Sequence, residues 1–587
     1  MSFIWKYLKP YSFIMSIGML IKIAGSVVEL ALPYILSHII DNVVPMCKST
    51  DDVYMIVIWG IVMVVCSVLA FWWNVLANRM ASKVARDAAR QIRHDLFDAT
   101  MHLSASKTDE FTIPSLESRL TSDTYNIHQF LGMMQRLGVR APILLVGGLA
   151  ISLTLDPMLT LVMASIMPFI GVTVWLVSKK GIPLYKESQK AGDSMVRVVR
   201  EDSQGIRVIK ALSKKDYEKE RYDRVNRQLV TVEKKAAVTM AATNPIINIF
   251  LNIGIVLVIL VGAFRVDSGL SQAGKIIAFI SYFTLISNAM LAITRIFVMY
   301  SKGAASASRI SEVIETSREL AEENLRRENA ARARGEKSEE SGKAHIVFDN
   351  VCFSYNGSAQ NLENISFSLR RGESLGIIGA TGSGKSTLIK LLMRMYDCGS
   401  GKIYIDGRDV RCFDESELSS MFGSAMQNDF VYADTIEENI KFGRDISHED
   451  VVRAAKIAQA EEYIEKFDDK YEHHVTSKGT NISGGQKQRL LIARAVANNP
   501  EILILDDSSS ALDYKTDSNL RRAIKENMNG VTSIIVAQRV SSVMYCDLIL
   551  VLDEGKVIGS GKHDYLMENC EVYRQISDSQ LGGALID

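Results

Sequence analysis

GATGSGKS, residues 379–386, sets three glycines, a lysine and hydroxyl side chains within one short loop. The apolar stretch SLGII leads into it and the helical pattern TLIKLLMRM follows. That strand–loop–helix frame is the one a phosphate-binding loop requires. Gly379, Gly382 and Gly384 let backbone N–H groups converge on phosphate oxygens, Lys385 reaches the outer phosphates, and the Ser386 hydroxyl ligates Mg2+. Thr381, Ser383 and Thr387 are assigned to the same nucleotide cradle. A second run, EILILDDSSSALD at 501–513, is an apolar strand ending in two adjacent acids, Asp506 and Asp507. Such a strand is buried and delivers its carboxylates to a site at its C-terminal edge.

These residues need a scaffold larger than one core, and 587 residues imply at least two domains. Lys and Arg equal Asp and Glu at 67 each, so net charge gives no pull towards nucleic acid. The balance hides an asymmetry. The first 300 or so residues hold long uncharged apolar runs, and the remainder has the mixed composition of a soluble domain. The cysteines, at 47, 66, 352, 398, 412, 546 and 570, form no CxxC pair and no metal spacing, which suits idle thiols in a reducing compartment.

Six apolar runs, near 13–40, 53–75, 129–155, 157–178, 244–264 and 276–300, reach the length of about 20 residues that a bilayer span takes. Segments 79–128 and 179–243 are long and rich in Lys and Arg, whereas the links near 44–52, at Asp156 and at 265–275 are short and carry few. The basic side faces the cytoplasm, so both termini are expected there, with long helices extending into the cytosol. Turning points of those extensions are expected at Pro114–Arg119 and near RYDRVNRQL, 221–229. Ionisable residues fall inside the runs: Lys22, Glu29, Arg136, Arg140 and Arg295. Lys22 and Glu29 lie two helical turns apart, roughly 10 Å, too far for a direct pair. They read either as a polar spot on a substrate cavity or as snorkelling and structural pairing. Met133, Met134, Met163, Met167 and Met290 suit an adaptable apolar pocket or ordinary packing.

NISGGQKQR at 481–489 is similar to the signature motif of ATP-binding cassette proteins, and SALD at 510–513 to their D-loop. Together with the phosphate loop and the six spans, the chain resembles a half-transporter of the type IV ABC exporter family. The resemblance implies a polytopic α-helical membrane domain at 1–311, a charged linker at 312–344 and an α/β P-loop ATP-binding cassette at 345–587. It implies a multi-pass protein of the plasma or inner membrane that uses ATP and Mg2+, touches membrane lipid and a transported substrate of unidentified nature, and binds no nucleic acid. Tyr355 matches the adenine-stacking position, Gln427 in SAMQNDFVY the Q-loop glutamine at Mg2+, and Asp506 the Mg2+-holding Walker B aspartate. Ser483, Gly484, Gly485 and Gln486 match the signature residues that serve a partner's nucleotide, and Asp513 the D-loop acid. Upstream, VTSKGTN departs from the acidic pattern usual before the signature.

Two further departures fall at the hydrolytic centre. Asp507 stands where active members carry the catalytic glutamate, and Gln538 in SIIVAQRVSSV stands at the switch histidine. Together they resemble the degenerate site of heterodimeric bacterial exporters. The expectation is a subunit paired with a second half-transporter chain, moving amphipathic small molecules, lipids or peptides, with hydrolysis mainly at the partner's site. A homodimeric exporter with slow hydrolysis and an ATP-gated regulator or channel stay open.

Overall fold

The computed structural model describes residues 2–46, 53–334, 344–355, 361–427, 429–508 and 511–581. Cys47, most of the link at 44–52, residues 335–343 of the charged stretch and Ser510 of SALD lie outside these. Two compact units result, one of residues 1–101 and 113–315, the other of 102–112 and 316–587.

The first unit is helical: α1 (Ser12–His38), α2 (Val53–Met101), α4 (Thr124–Leu155), α5 (Pro157–Ala211), α6 (Lys215–Ala241), α7 (Thr243–Asp267) and most of α8 (Ala273–Arg334), with α3 (Ala105–Phe111) assigned to the second unit. Among the described residues, six helical stretches are long and apolar enough to cross a membrane. α2 buries a stripe of small residues, Ala77, Ala81, Ala85 and Ala88, which lets a neighbouring backbone approach closely. At Gly254 the approach is closer still, because an added Cβ would meet the Phe283 ring at 2.3 Å. Asp156 turns the chain between α4 and α5. Its Oδ1 accepts from the Met158 and Leu159 backbone N–H groups at 3.0 and 3.3 Å, Pro157 opens α5, and Arg265 Nε donates to Oδ2 at 3.1 Å.

Two apolar clusters fill this unit. One gathers Leu159, Met163, Ile170, Phe279 and Phe283, the other Leu30, Leu144 and Tyr282, whose hydroxyl donates to the Leu30 carbonyl at 2.7 Å. Met163 is fully buried and Met167 and Met290 pack on the same cluster, so these methionines serve packing. Lys22 and Glu29 find partners on other helices. Lys22 Nζ donates to Asn74 and Asn78 Oδ1 at 2.8 and 3.0 Å, and Glu29 accepts from Arg140 at 2.6 and 3.2 Å. Arg136 Nε donates to the Gly132 carbonyl, and Arg295 is exposed.

One break falls within FTIPSLESRL, at Thr112, and the other helical turns fall elsewhere than expected. The first is at 102–104, where Ser104 caps α3, and Thr112 at φ 63° ends it. Pro114 sits in the first turn of the helix Ile113–Ser118, where its missing N–H costs nothing. The second is at Leu212–Lys214, with Ser213 at φ 52°, and 221–229 lies inside α6. The charged stretch expected as a linker is helical from 312 to 334, continuing α8.

The second unit holds two principal sheets. An antiparallel sheet runs β2 (Leu362–Leu369), β1 (Ile346–Phe353), β4 (Ser400–Ile405), β5 (Arg408–Asp409). A six-stranded sheet follows the order Lys556–Gly561 (β10), Leu548–Asp553 (β9), Ser374–Gly379 (β3), Thr532–Val536 (β8), Ile502–Asp506 (β7), Phe422–Ala425 (β6). All but the β9–β10 pair are parallel, and β7 is buried at every residue, which explains its unbroken ILILD.

Asp123 joins the start of α4 to α8. Its buried carboxylate accepts from Ser306 Oγ at 2.8 Å and Arg309 Nε at 2.7 Å. Asp123→Ala is expected to destabilise the helical unit by about 1–3 kcal/mol, the range for hydrogen bonds to a charged group. A lowered thermal midpoint of the detergent-purified protein checks this, and an unchanged midpoint contradicts it.

Candidate functional site

Parallel pairing brings the chemistry to one edge. Val536 lies opposite both Ile377 and Asp506, and Ala425 opposite Leu505, so β3, β8, β7 and β6 end together. The loop after β3, the acids after β7, Gln427 after β6 and Gln538 after β8 therefore meet at the carboxyl ends of the strands, where open α/β sheets bind ligands.

The phosphate loop curls into α9 (Lys385–Leu392). Gly382 and Gly384 take φ 86° and 99°, values that disfavour any other residue. An added Cβ at Gly382 would project into open space, whereas one at Gly379 would strike the Leu552 carbonyl at 2.1 Å. The result is a cradle of bare backbone. Lys385 Nζ lies over it, donating to the Gly379 and Ala380 carbonyls at 2.9 and 2.7 Å. Ser383 Oγ is buried and has no partner among the described residues. Thr381 and Thr387 flank this loop, and Thr387 Oγ1 accepts from the Tyr355 hydroxyl at 3.3 Å.

Ser386 donates to Asp506, so the two groups expected at Mg2+ already touch. Burial raises the Asp506 carboxyl above its ordinary value; Ser386 and Lys385 pull it down, and the adjacent Asp507 adds to the rise. Burial likewise lowers the Lys385 ammonium, opposed by the two aspartates. Hydroxyl, carboxylate and amide oxygens are hard donors, and a dication among them removes the repulsion between neighbouring acids. The residues fit Mg2+ in kind and in charge.

Asp507 is held differently. Its backbone is left-handed at φ 51°, and its N–H donates to the Val536 carbonyl at 2.9 Å. Its Oδ2 accepts from Gln427 Nε2 at 3.2 Å and from Gln538 Nε2 at 3.1 Å. Gln538 is fixed in turn by Gln580 on the helix Glu571–Leu581, which donates to the Gln538 carbonyl and accepts from the Val540 N–H, each at 2.8 Å.

Ser483 opens the helix Gly484–Val496 with a capping box: Gln486 N donates to Ser483 Oγ, and Ser483 N to Gln486 Oε1. Gly484 faces open space, while a Cβ on Gly485 would come within 3.1 Å of the Ala511 carbonyl. Asp513 caps the helix Tyr514–Asn527, accepting from the Thr516 N–H and hydroxyl, and those bonds hold its carboxyl below the ordinary range. Its visible work is thus structural.

Three residues had no sequence signal. Gln580 is one. Tyr396 and Asp109 are the others, 287 positions apart in the chain, yet the Tyr396 hydroxyl donates to Asp109 Oδ2 at 2.5 Å. Tyr396 also packs edge-on to Tyr355 and Phe353 with ring centroids 5.1 and 5.7 Å apart, and Lys390 lies over both tyrosines. The short helix α3, inserted between membrane-length helices, thereby touches Tyr396, whose ring packs against the Tyr355 expected to stack on adenine. A further cluster, His345 with Asp406 and Glu501, has metal-like spacing, but Arg371 donates to both carboxylates at 2.6 Å and fills it.

Known proteins share this layout. Residues 15–290 match the family described as ABC transporter transmembrane region, and residues 362–510 that described as ABC transporter. The uncharacterised ABC transporter ATP-binding protein YfiB of Bacillus subtilis is 33% identical, covering 98% of both chains. The putative multidrug export ATP-binding/permease protein YgaD of the same organism is 29% identical over 97% of each. A solved bacterial Atm1-family ABC exporter with ATP bound superposes with a TM-score of 0.80 at 22% identity, covering 96% of this chain and 97% of its own.

The chain belongs to the ABC transporter family. It is a multi-pass membrane protein with the exporter fold, one transmembrane region joined to one ABC ATPase domain, and works as an ATP-driven transporter.

Tyr396→Phe removes the bond to Asp109 and keeps the ring. Amide hydrogen exchange across 105–111 is expected to accelerate, with β7 and β8 unchanged. Equal exchange in α3 before and after would show that this bond does not hold the helix.

Proposed function

We propose that this chain is one half of a heterodimeric exporter, that its own ATP site binds nucleotide and hardly hydrolyses it, and that its signature motif completes the hydrolytic site on the partner. In this reading ATP stacks on Tyr355 and lies along Gly379–Thr387, and Ser386, Asp506 and Gln427 hold the Mg2+, which neutralises phosphate charge. Both termini and the turns at 102–112 and 212–214 face the cytoplasm, following the basic residues of the long connections.

The observation that carries the proposal is the double amide clamp on Asp507. Hydrolysis needs a carboxylate that positions and polarises the attacking water. Aspartate falls short of glutamate by one methylene, roughly 1.5 Å. Misplacement by 1 Å can cost about 100-fold. The Asp507 Oδ2 already accepts N–H bonds from Gln427 and Gln538, which fix the carboxylate in place. Gln538, one of those donors, cannot carry the positive charge a histidine would bring. The naming of YgaD as a putative multidrug export protein supports export as the direction of transport.

The test compares steady-state ATPase rates of Asp507→Ala and Gly484→Asp, each assembled with the half-transporter that co-purifies with this chain. Gly484 is chosen because its side faces open space and the substitution meets no neighbour within the chain. Asp507→Ala is expected to leave most of the turnover, and Gly484→Asp to remove nearly all of it. A large loss in the first with little in the second overturns the proposal. Equal losses indicate a symmetric pump in which the aspartate works.

A further inference from the structure

The switch position is held from outside its own loop. Gln538, Arg539 and Val540 follow β8, and Arg539 keeps an extended backbone at φ −99° and ψ 129°. In an extended chain the carbonyl of one residue and the N–H of the second residue after it point to the same side. Gln580 meets that pair: its Nε2 donates to the Gln538 carbonyl and its Oε1 accepts from the Val540 N–H, each at 2.8 Å. The glutamine amide therefore pairs with this segment as a neighbouring strand would. Val540 also opens the short helix Val540–Val543, and a first-turn N–H has no partner inside its own helix. Arg539 supplies no side-chain cap there, so Gln580 satisfies that N–H from another element.

The helix Glu571–Leu581 carries this amide on its packed face. Tyr573, Ile576, Ser577 and Gln580 follow the spacing i, i+3, i+4 and i+7, one side of a helix. Tyr573 is fully buried and its hydroxyl lies 2.8 Å from His563 Nδ1. Ile576 packs on the cluster that contains Ala537 and Val540. The helix thus shares an apolar core with the residues on either side of Gln538. On the opposite face Gln575 is exposed and bonds Glu571 within the helix. Gln538 in turn places its Nε2 at 3.1 Å from Asp507 Oδ2. An amide nitrogen carries two hydrogens, and Asp507 takes one.

We propose that Gln580 is a positioning residue of the nucleotide site: it holds Gln538 at Asp507, with the second N–H of that amide free to bind the terminal phosphate, and so slows nucleotide release from this chain. Its action runs through Gln538, and it touches neither nucleotide nor Mg2+. The effect on release rests on the reading above, in which this site binds nucleotide and hardly hydrolyses it; the hold on residues 538–540 does not.

The experiment uses the full chain with its co-purifying partner in nanodiscs, loaded with mant-ATP and Mg2+ and chased with excess ATP. Wild type is expected to show a slow phase of release that Lys385→Ala removes, which assigns that phase to this chain. Gln580→Ala is expected to speed the slow phase roughly two- to tenfold, the effect of one neutral hydrogen bond. Gln575→Ala, on the exposed face of the same helix, is expected to leave it unchanged. On a Gln538→Ala background, itself faster than wild type, Gln580→Ala is expected to add nothing, because the two residues act in series. A slow phase unchanged by Gln580→Ala, or accelerated by the same factor on both backgrounds, overturns the proposal. Absence of a Lys385-dependent slow phase in wild type removes the retention reading instead, and amide hydrogen exchange then reads the hold itself. Residues 538–540 are expected to exchange faster in Gln580→Ala, with 573–577 unchanged. Equal exchange at 538–540, or a rise spread evenly over both segments, overturns the hold.

Discussion

The carboxylate of Asp507 hangs from a backbone that has no freedom to extend it. Its left-handed φ and the N–H bond to Val536 fix where the Cβ points, and two glutamine amides hold the outer oxygen. A glutamate here would project one methylene further. The aspartate ends within reach of the two amides. Gln580 stiffens the arrangement by gripping the chain on both sides of Arg539, so Gln538 stays aimed at the acid. A catalytic centre needs a base that can reach water, and in the proposed reading the two bonds to Oδ2 keep Asp507 from serving as one.

The residues proposed to bind nucleotide are arranged differently. Their glycines open the backbone, Ser386 touches Asp506, and Tyr355 stands in an aromatic group with Tyr396 and Phe353. Along one sheet edge β3 and β7 end at the phosphate loop and Asp506, while β6 and β8 lead to Gln427 and Gln538, whose amides both donate to Asp507. The contact of Asp109 with Tyr396 then gives the nucleotide pocket a physical link to the chain segment between two membrane-length helices.

Much of this was legible in the sequence, for reasons that can be named. Phosphate loops, signature helices and buried parallel strands depend on local backbone geometry, so their residues sit close together in the chain. ILILD reads as a buried strand because nothing polar interrupts it, and SGGQ stands out by its motif, which the structure shows to open a helix where Ser483 and Gln486 cap one another. Pairings over long separations left no trace. Arg140 with Glu29, and Lys22 with Asn74, depend on which helix faces which, and helical spacing alone left both ions of α1 without partners. The turns were misplaced for a related reason. Pro114 looked like a breaker, but proline in a first turn is compatible with helix, whereas the true break at 102–104 contains neither proline nor glycine. The charged stretch after 312 carries little apolar residue and still continues α8, since a helix already nucleated extends cheaply through Glu, Arg and Ala.

The central claim is that the two ATP sites of the assembled transporter differ in chemistry, with this chain holding nucleotide and its partner cleaving it. Vanadate trapping tests this most directly. The assembled pair is turned over with 8-azido-ATP and orthovanadate, irradiated, and digested, and the labelled peptides are assigned to each chain. The account predicts trapped diphosphate on the partner's phosphate loop, and uncleaved triphosphate on the peptide containing Lys385. Trapped diphosphate in equal measure on both chains would contradict it.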